Sequence, residues 1–382
     1  MERISKAAVR RFLLGQLGLR RVEGRKGAAG VRATLRRLRC IQLDPLDPMG
    51  TNADLVALAR VDGLCRGDVY RHLLPGHAFE HFAKERCLLP ASAFPHYRDQ
   101  AAETPWWRLS ERVRRLPAGV VEAVLAEVEA RGPVTAADLS DHGRVEPIDW
   151  QGWKGTAKAA SMALEVLWTR CRIVVAGRRP GGKVYDVPRR ALRRTHDGPA
   201  EPFARWALLE RVEAAGLLAR AGGATWSMLR DARTSGLVEE LVGEGLIEEV
   251  TVEGSSRPYL APAGFRGRRA PKDDGRMRIL GPLDPLLWDR KLVRQVFDFD
   301  YVWEVYKPED QRRWGWYVCP LLHRGALVGR LEGRAKGATL VVSRLWREEG
   351  VALDEHALDA ALERHAEACG ADRVKRPRRA RG

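Results

Sequence analysis

From about residue 105 onward the chain carries the same order of local signals twice. "LPAGVVEAVLAEVEARG" reads as a helix ended by Gly132, and "PVTAADL" as a short helix capped by Thr135. "TAKAASMALEVLWTRC" reads as a long amphipathic helix, and "RIVVAGRRPGGKVYDVP" as two strands around a Gly-rich turn. The order returns in "EPFARWALLERVEAAG", "ATWSMLRDAR" and "TSGLVEELVGEGLIEEVTVEGSSRPYLAP", whose hairpin turns at "EGSS". Helix, short helix, helix, hairpin is the order of a winged helix, a helix-turn-helix variant with a β-wing. The two units are expected over residues 105–195 and 196–268.

The rest of the chain divides around them. At 382 residues it exceeds one ordinary core. The start runs from a helix, "ISKAAVRRFLLGQLGL", through a Gly-rich turn to the basic helix "GVRATLRRLR" and a strand at "IQLD". "RGRRAPKDDGR" reads as a polar linker. After it, "RMRILG", "DYVWEVYKP", "RWGWYVCPLLHRG", "ALVGRLEGRAKG" and "ATLVVSRLWRE" alternate aromatic or β-branched with charged residues. That pattern predicts a small antiparallel β-barrel over 276–350. A closing helix over 351–370 and a disordered basic tail over 371–382 follow.

Charge narrows the partners. Sixty-six Lys and Arg face fifty Asp and Glu, a net +16. Arg outnumbers Lys; a GC-rich genome accounts for part of that, but guanidinium forks also suit phosphate, and the excess points to a polyanion. The six cysteines are scattered without a CxxC pair, so neither a zinc ribbon nor a disulfide framework is expected, and a reducing cytoplasm fits. No apolar run of about eighteen residues predicts a membrane span. Arg10, Arg11 and Gln16 interrupt what would be a signal-peptide core.

Within "CIQLDP", Gln42 and Asp44 are two residues apart, so on a strand they share a face. A carboxylate beside a carboxamide suits attack of water on an oxocarbenium-like sugar carbon: one stabilises positive charge, the other orients the water. The plain alternative is a polar strand face or a cap for the next turn. Asn52 and Asp54 follow closely and line the same cavity or cap a helix. Trp106, Trp107, Trp150 and Trp153 offer surfaces for base stacking or pack in cores. Lys154, Lys158, Arg178, Arg179 and Lys183 lie on the helix and wing of the first repeat, where phosphates would be met, or form a solvated face. His77 and His81 have helical i, i+4 spacing but no third ligand at a suggestive offset, so no metal is expected. No phosphate-binding or nucleophile-elbow motif suggests a cofactor.

Several stretches carry a resemblance. "CIQLDPLDPMGTNADLVALARV", "AFEHFAKERCLLP", "KVYDVP" and "LDPLLWDRKLVRQVFDFDYVWEVYKPEDQRRWGWYVCPLLHRGALVGR" resemble the AlkZ/YcaQ group of bacterial winged-helix DNA glycosylases. "QLD" falls on that family's catalytic Gln–hydrophobic–Asp motif, which implies catalytic roles for Gln42 and Asp44 and the YcaQ-like branch. Two departures stand out. A family His-rich segment appears as "GTNADL", with Asn52 and Asp54, and an "AHE"-like triplet appears as "AKE", with Lys84.

The resemblance implies an α+β fold: tandem winged helices, the first over residues 1–104, followed by the barrel and arranged as a C around duplex DNA. It also implies a cytoplasmic, nucleoid-associated monomer. Its activity would be monofunctional hydrolysis of alkylated or crosslinked purines in double-stranded DNA, without cofactor. A noncatalytic winged-helix transcription regulator would need the same basic wings but not "QLD". A protein-docking scaffold would bind no DNA in a salt-dependent way.

Overall fold

The computed structural model describes residues 2–22, 24–101, 107–148, 155–193 and 200–377. The chain forms two compact units. The first gathers Met1–Val69, Phe82–Cys87 and Ala207–Gly382, the second Tyr70–His81 and Leu88–Trp206.

In the second unit the helix Val120–Arg131 ends at Gly132, as the sequence predicts. "PVTAADL" does not continue as a helix. Its first residues form a short strand, Val134–Thr135, which pairs with Tyr185 and Val184, and the Asp138 carboxylate closes the turn after it by taking the Thr135 amide at 2.7 Å and its hydroxyl at 2.9 Å. The helix Ala159–Thr169 is buried almost all round, Trp168 included, and so is a core helix instead of an amphipathic one. The hairpin Val174–Arg179 and Gly182–Asp186 turns where Gly182 takes φ +115°, a conformation suited to glycine. Its returning strand lies between its first strand and Val134–Thr135.

The same pairing recurs in the first unit. Pro258–Pro262 lies between Ile247–Val252 and Leu218–Ala219, and the N-terminal strand Glu2–Ile4 adds in parallel to Ile247–Val252. The expected helix "ATWSMLRDAR" is two short 3₁₀ turns, Ala224–Trp226 and Asp231–Arg233. Met228 stands between them at φ +65°, which no right-handed helix accommodates.

The strands after residue 276 form one open sheet in the order Arg278–Ile279, Val318–His323, Ala326–Lys336, Thr339–Arg347, Arg373–Lys375. Within 276–350 the pairings are antiparallel as expected, but the expected closed barrel is corrected: among the described residues the edge strands do not pair with each other. The tail strand Arg373–Lys375 adds in parallel to Thr339–Arg347. "DYVWEVYKP" is a loop, because the Glu304 carboxylate gathers the Arg313 and Trp314 amides at 3.2 and 2.7 Å and the Lys307 ammonium at 2.8 Å. The helix Glu355–Ala368 covers the sheet through Leu358 and Leu362, packed with Tyr317, Leu331 and Leu340. Part of the basic tail is ordered: Arg373–Lys375 is a strand and Arg376 pairs with Glu355 and Asp359, while residues 378–382 lie outside the described residues. The polar linker is fastened too, by Arg268 on Glu213 at 2.6 Å. Among the described residues no helix is long and apolar enough to cross a membrane.

Candidate functional site

The basic helix Gly27–Leu38 ends where Arg39 turns at φ +63° into the strand Ile41–Gln42. This strand is only two residues long. Leu43 still donates to the Arg86 carbonyl at 2.8 Å, but Asp44 has left the ladder and takes the Leu46 amide at 2.9 Å. Pro45, which lacks an N–H, makes that exit favourable. The shared strand face expected for Gln42 and Asp44 therefore does not extend to Asp44. Both side chains are buried, at 6% and 9% exposure, a level at which polar groups need partners.

Gln42 finds its partners in a closed ring. Lys84 Nζ donates to Gln42 Oε1 at 3.0 Å, and Asn52 Nδ2 donates to the Gln42 carbonyl at 2.8 Å. Asn52 Oδ1 accepts the Leu283 amide at 3.0 Å, and Trp288 Nε1 donates to the Leu283 carbonyl at 3.1 Å. Lys84 Nζ lies 5.5 Å from the centre of the Trp288 ring, which completes the circuit. Gly281 permits the close approach, since a Cβ there would stand 2.6 Å from Asn52 Oδ1. With Oε1 committed to Lys84, the Gln42 carboxamide is left with its Nε2 donors. Burial lowers the Lys84 pKa below the usual lysine range. Lys84, Leu283 and Trp288 were not among the sequence candidates; the only signal was their place inside "AKE" and "LDPLLWDRK".

Asp44 is held differently. Burial raises its pKa and the Leu46 amide works against that rise. Oδ1 takes the amide, and Oδ2 has no hydrogen-bond partner among the described residues. Nearby, the buried Tyr317 hydroxyl also has none, and burial, Cys319 and Asp44 together push its phenol far up. Tyr317 lines a cavity of about 490 Å³ with Trp316, Arg312, Arg334 and Lys336, a mixture of aromatic and cationic groups suited to a nucleic acid.

Asn52 and Asp54 act as framework. Asp54 completes a capping box with Thr51, its Oδ2 taking the Thr51 amide and hydroxyl at 3.2 and 2.9 Å, and its Oδ1 takes the Gly67 amide at 3.1 Å. Asn52 is wholly enclosed.

The basic candidates fall in the second unit. Lys158 and Arg179 are exposed. Arg178 pairs with the buried Glu80 and lies 4.8 Å over the Tyr70 ring, and Lys183 is 3.4 Å from Glu165. Lys154, Trp106, Trp150 and Trp153, and the side chain of Trp107, lie outside the described residues. His81 bonds the Thr169 carbonyl at 3.1 Å, and among the described residues no three His, Cys, Asp or Glu are grouped to hold a metal ion.

A family model described as "DNA glycosylase AlkZ-like" matches residues 35–368. The solved structure of Streptomyces sahachiroi DNA glycosylase AlkZ is similar at a TM-score of 0.61 and 18% identity, over 98% of this chain and 99% of that one. At that identity the likeness is one of fold, here a mixed α+β fold along the whole chain.

Proposed function

Because the chain belongs to the AlkZ-like DNA glycosylase family, we propose that it hydrolyses the N-glycosidic bond of N7-alkylated purines in duplex DNA, including purines tied into interstrand crosslinks. Gln42 and Asp44 carry the chemistry. The observations behind this reading are the buried ring that fixes Gln42 and, two residues on, a buried carboxylate with one oxygen unengaged.

An N7-alkylpurine is cationic, so it leaves without help from an acid. The demands are on the sugar. As the C1′–N9 bond breaks, its electrons neutralise the purine and positive charge passes to the sugar ring, where the Asp44 carboxylate stabilises it. Gln42 Nε2 donates to a water, whose free lone pair bonds C1′ and whose proton goes to Asp44 Oδ2. The raised pKa of Asp44 makes it a better base for that proton. The products are a neutral alkylpurine and an abasic sugar. A crosslinked base cannot be extruded into a closed pocket, so an open site facing the groove is expected.

Incubation with duplexes containing N7-methylguanine or a mustard crosslink, followed by alkaline cleavage, tests the proposal. Abasic sites are the expected product. Binding without cleavage would favour the transcription-regulator reading, which the basic residues alone leave open.

Lys84 is the positioning residue for Gln42. Lys84→Met is expected to slow excision by about tenfold, the order of one charge-assisted hydrogen bond, and Lys84→Arg to recover part of it. In a Gln42→Ala background Lys84→Met should add little, which a purely structural role would not produce. The Lys84 amine is engaged by Gln42, so borohydride should trap no covalent adduct with abasic DNA. A trapped adduct would replace simple hydrolysis with a lyase.

The net charge of +16 predicts electrostatic DNA binding. Affinity for undamaged duplex should fall steeply between low and physiological salt as several phosphates regain counterions. Of the basic candidates, the exposed Lys158 and Arg179 are proposed to contribute more to the slope than Arg178 and Lys183, which spend charge on internal partners. A salt-independent affinity would contradict this. The protein is proposed to act as a monomer.

A further inference from the structure

A second cavity of the first unit takes no part in the proposed reaction. It holds about 450 Å³, within the range of small-molecule sites. Leu58, Val61, Met277 and Ile279 give it an apolar wall. Its other wall is charged, with Lys26, Arg276, Arg278 and Arg364 against the Asp62 and Glu367 carboxylates. Arg276 pairs with Asp62 at 2.8 Å and Arg278 with Asp274 at 2.6 Å. Arg364, from the helix Glu355–Ala368, donates to the Met277 carbonyl at 2.9 Å and forms no ion pair among the described residues. Burial lowers the Arg364 pKa, the Arg276 charge acts in the same direction, and the Asp62 and Asp274 carboxylates act against them. Those carboxylates are already paired with Arg276 and Arg278, so three guanidinium groups that keep their protons share two carboxylates here.

We infer that this cavity is a phosphate-binding site, in which Arg364 and the exposed Lys26 hold a phosphate group and the apolar wall receives the flat body of a nucleotide-sized molecule. The planar guanidinium fork matches phosphate oxygens two at a time. The phosphate could come from a free nucleotide or from a DNA backbone, and the same chemistry recognises both.

Cys65 lines the cavity and is the one exposed thiol of the six, so its alkylation reports occupancy independently of excision. The experiment follows Cys65 modification by iodoacetamide in the full chain, by mass spectrometry in phosphate-free, low-salt buffer. The probes are inorganic phosphate, deoxyguanosine monophosphate and undamaged duplex. At ten times its Kd a ligand leaves about one site in eleven open, so the mononucleotide should slow modification about tenfold. Inorganic phosphate should act only at higher concentration. Arg364→Gln should abolish protection, and Arg364→Lys should retain part of it. Protection by duplex alone, lost in Arg364→Gln, would support the phosphate site and assign the backbone as its source. Modification insensitive to all three probes, or equal protection in Arg364→Gln, would overturn the inference.

Discussion

Asp44→Asn is expected to slow single-turnover excision of N7-methylguanine by about 10²-fold or more, the usual order for one preorganised electrostatic group. The amide is nearly isosteric and still accepts from Leu46, but it puts no charge beside the sugar cation and takes no proton from water. Affinity for DNA should hold or rise, because a carboxylate repels phosphate. Stability should also rise. The folded pKa of Asp44 lies above its unfolded value, so the ionised form destabilises the fold. That penalty is full above the folded pKa and fades as pH falls toward the unfolded value, so the variant should gain melting temperature at neutral pH and little at low pH. Wild-type activity should fail as pH drops through the same raised pKa, above the ordinary carboxylate range. Gln42→Ala should also slow the reaction, and the double variant should lose less than the product of the singles, since both groups act on one water. A folded Asp44→Asn protein excising at the wild-type rate would sink the assignment and direct attention to Tyr317.

What the sequence disclosed about this site followed sequence distance. The hairpin at Arg179 and Gly182 was legible because alternation and glycine act within a few residues. "PVTAADL" misled because Val134 and Thr135 pair with Tyr185 and Val184, far along the chain, and "DYVWEVYKP" because its Glu304 carboxylate gathers the amides of the later Arg313 and Trp314 into a loop. Propensity does not register such a bond. The motif itself was legible through its resemblance, but its support was not. Lys84 is 42 residues from Gln42 and Leu283 is 231 from Asn52, and only the fold brings them together. Asn52 is held by this distant Leu283, whereas Asp54 forms a local capping box with Thr51, the helix-cap alternative that its position offered.

A second long-range support is a buried ion pair, and its loss should have the largest effect on stability. Arg60 and Asp284, 224 residues apart, meet through two bonds of 2.7 and 3.1 Å with side chains only 1% and 0% exposed. Arg60 also donates to the Leu17 and Val56 carbonyls at 2.6 and 2.8 Å, and Asp284 takes the Leu286 amide at 3.1 Å. The pair thus ties the end of the helix Asn52–Leu58 to the segment whose Leu283 amide holds Asn52. Asp284→Ala leaves a buried guanidinium without its counter-charge, and is expected to cost about 3–5 kcal/mol in urea unfolding. Because Asn52 steadies Gln42, excision should fall in that variant under conditions where circular dichroism still reports a folded chain. Arg60→Met with Asp284→Leu removes both charges together and fills the space with apolar groups. It should recover much of the stability, since desolvating two charges offsets most of what their attraction contributes. The coupling between the two positions should therefore be large, as expected for residues in one network. An Asp284→Ala protein with an unchanged urea midpoint would show that this pair does not hold the site's framework together.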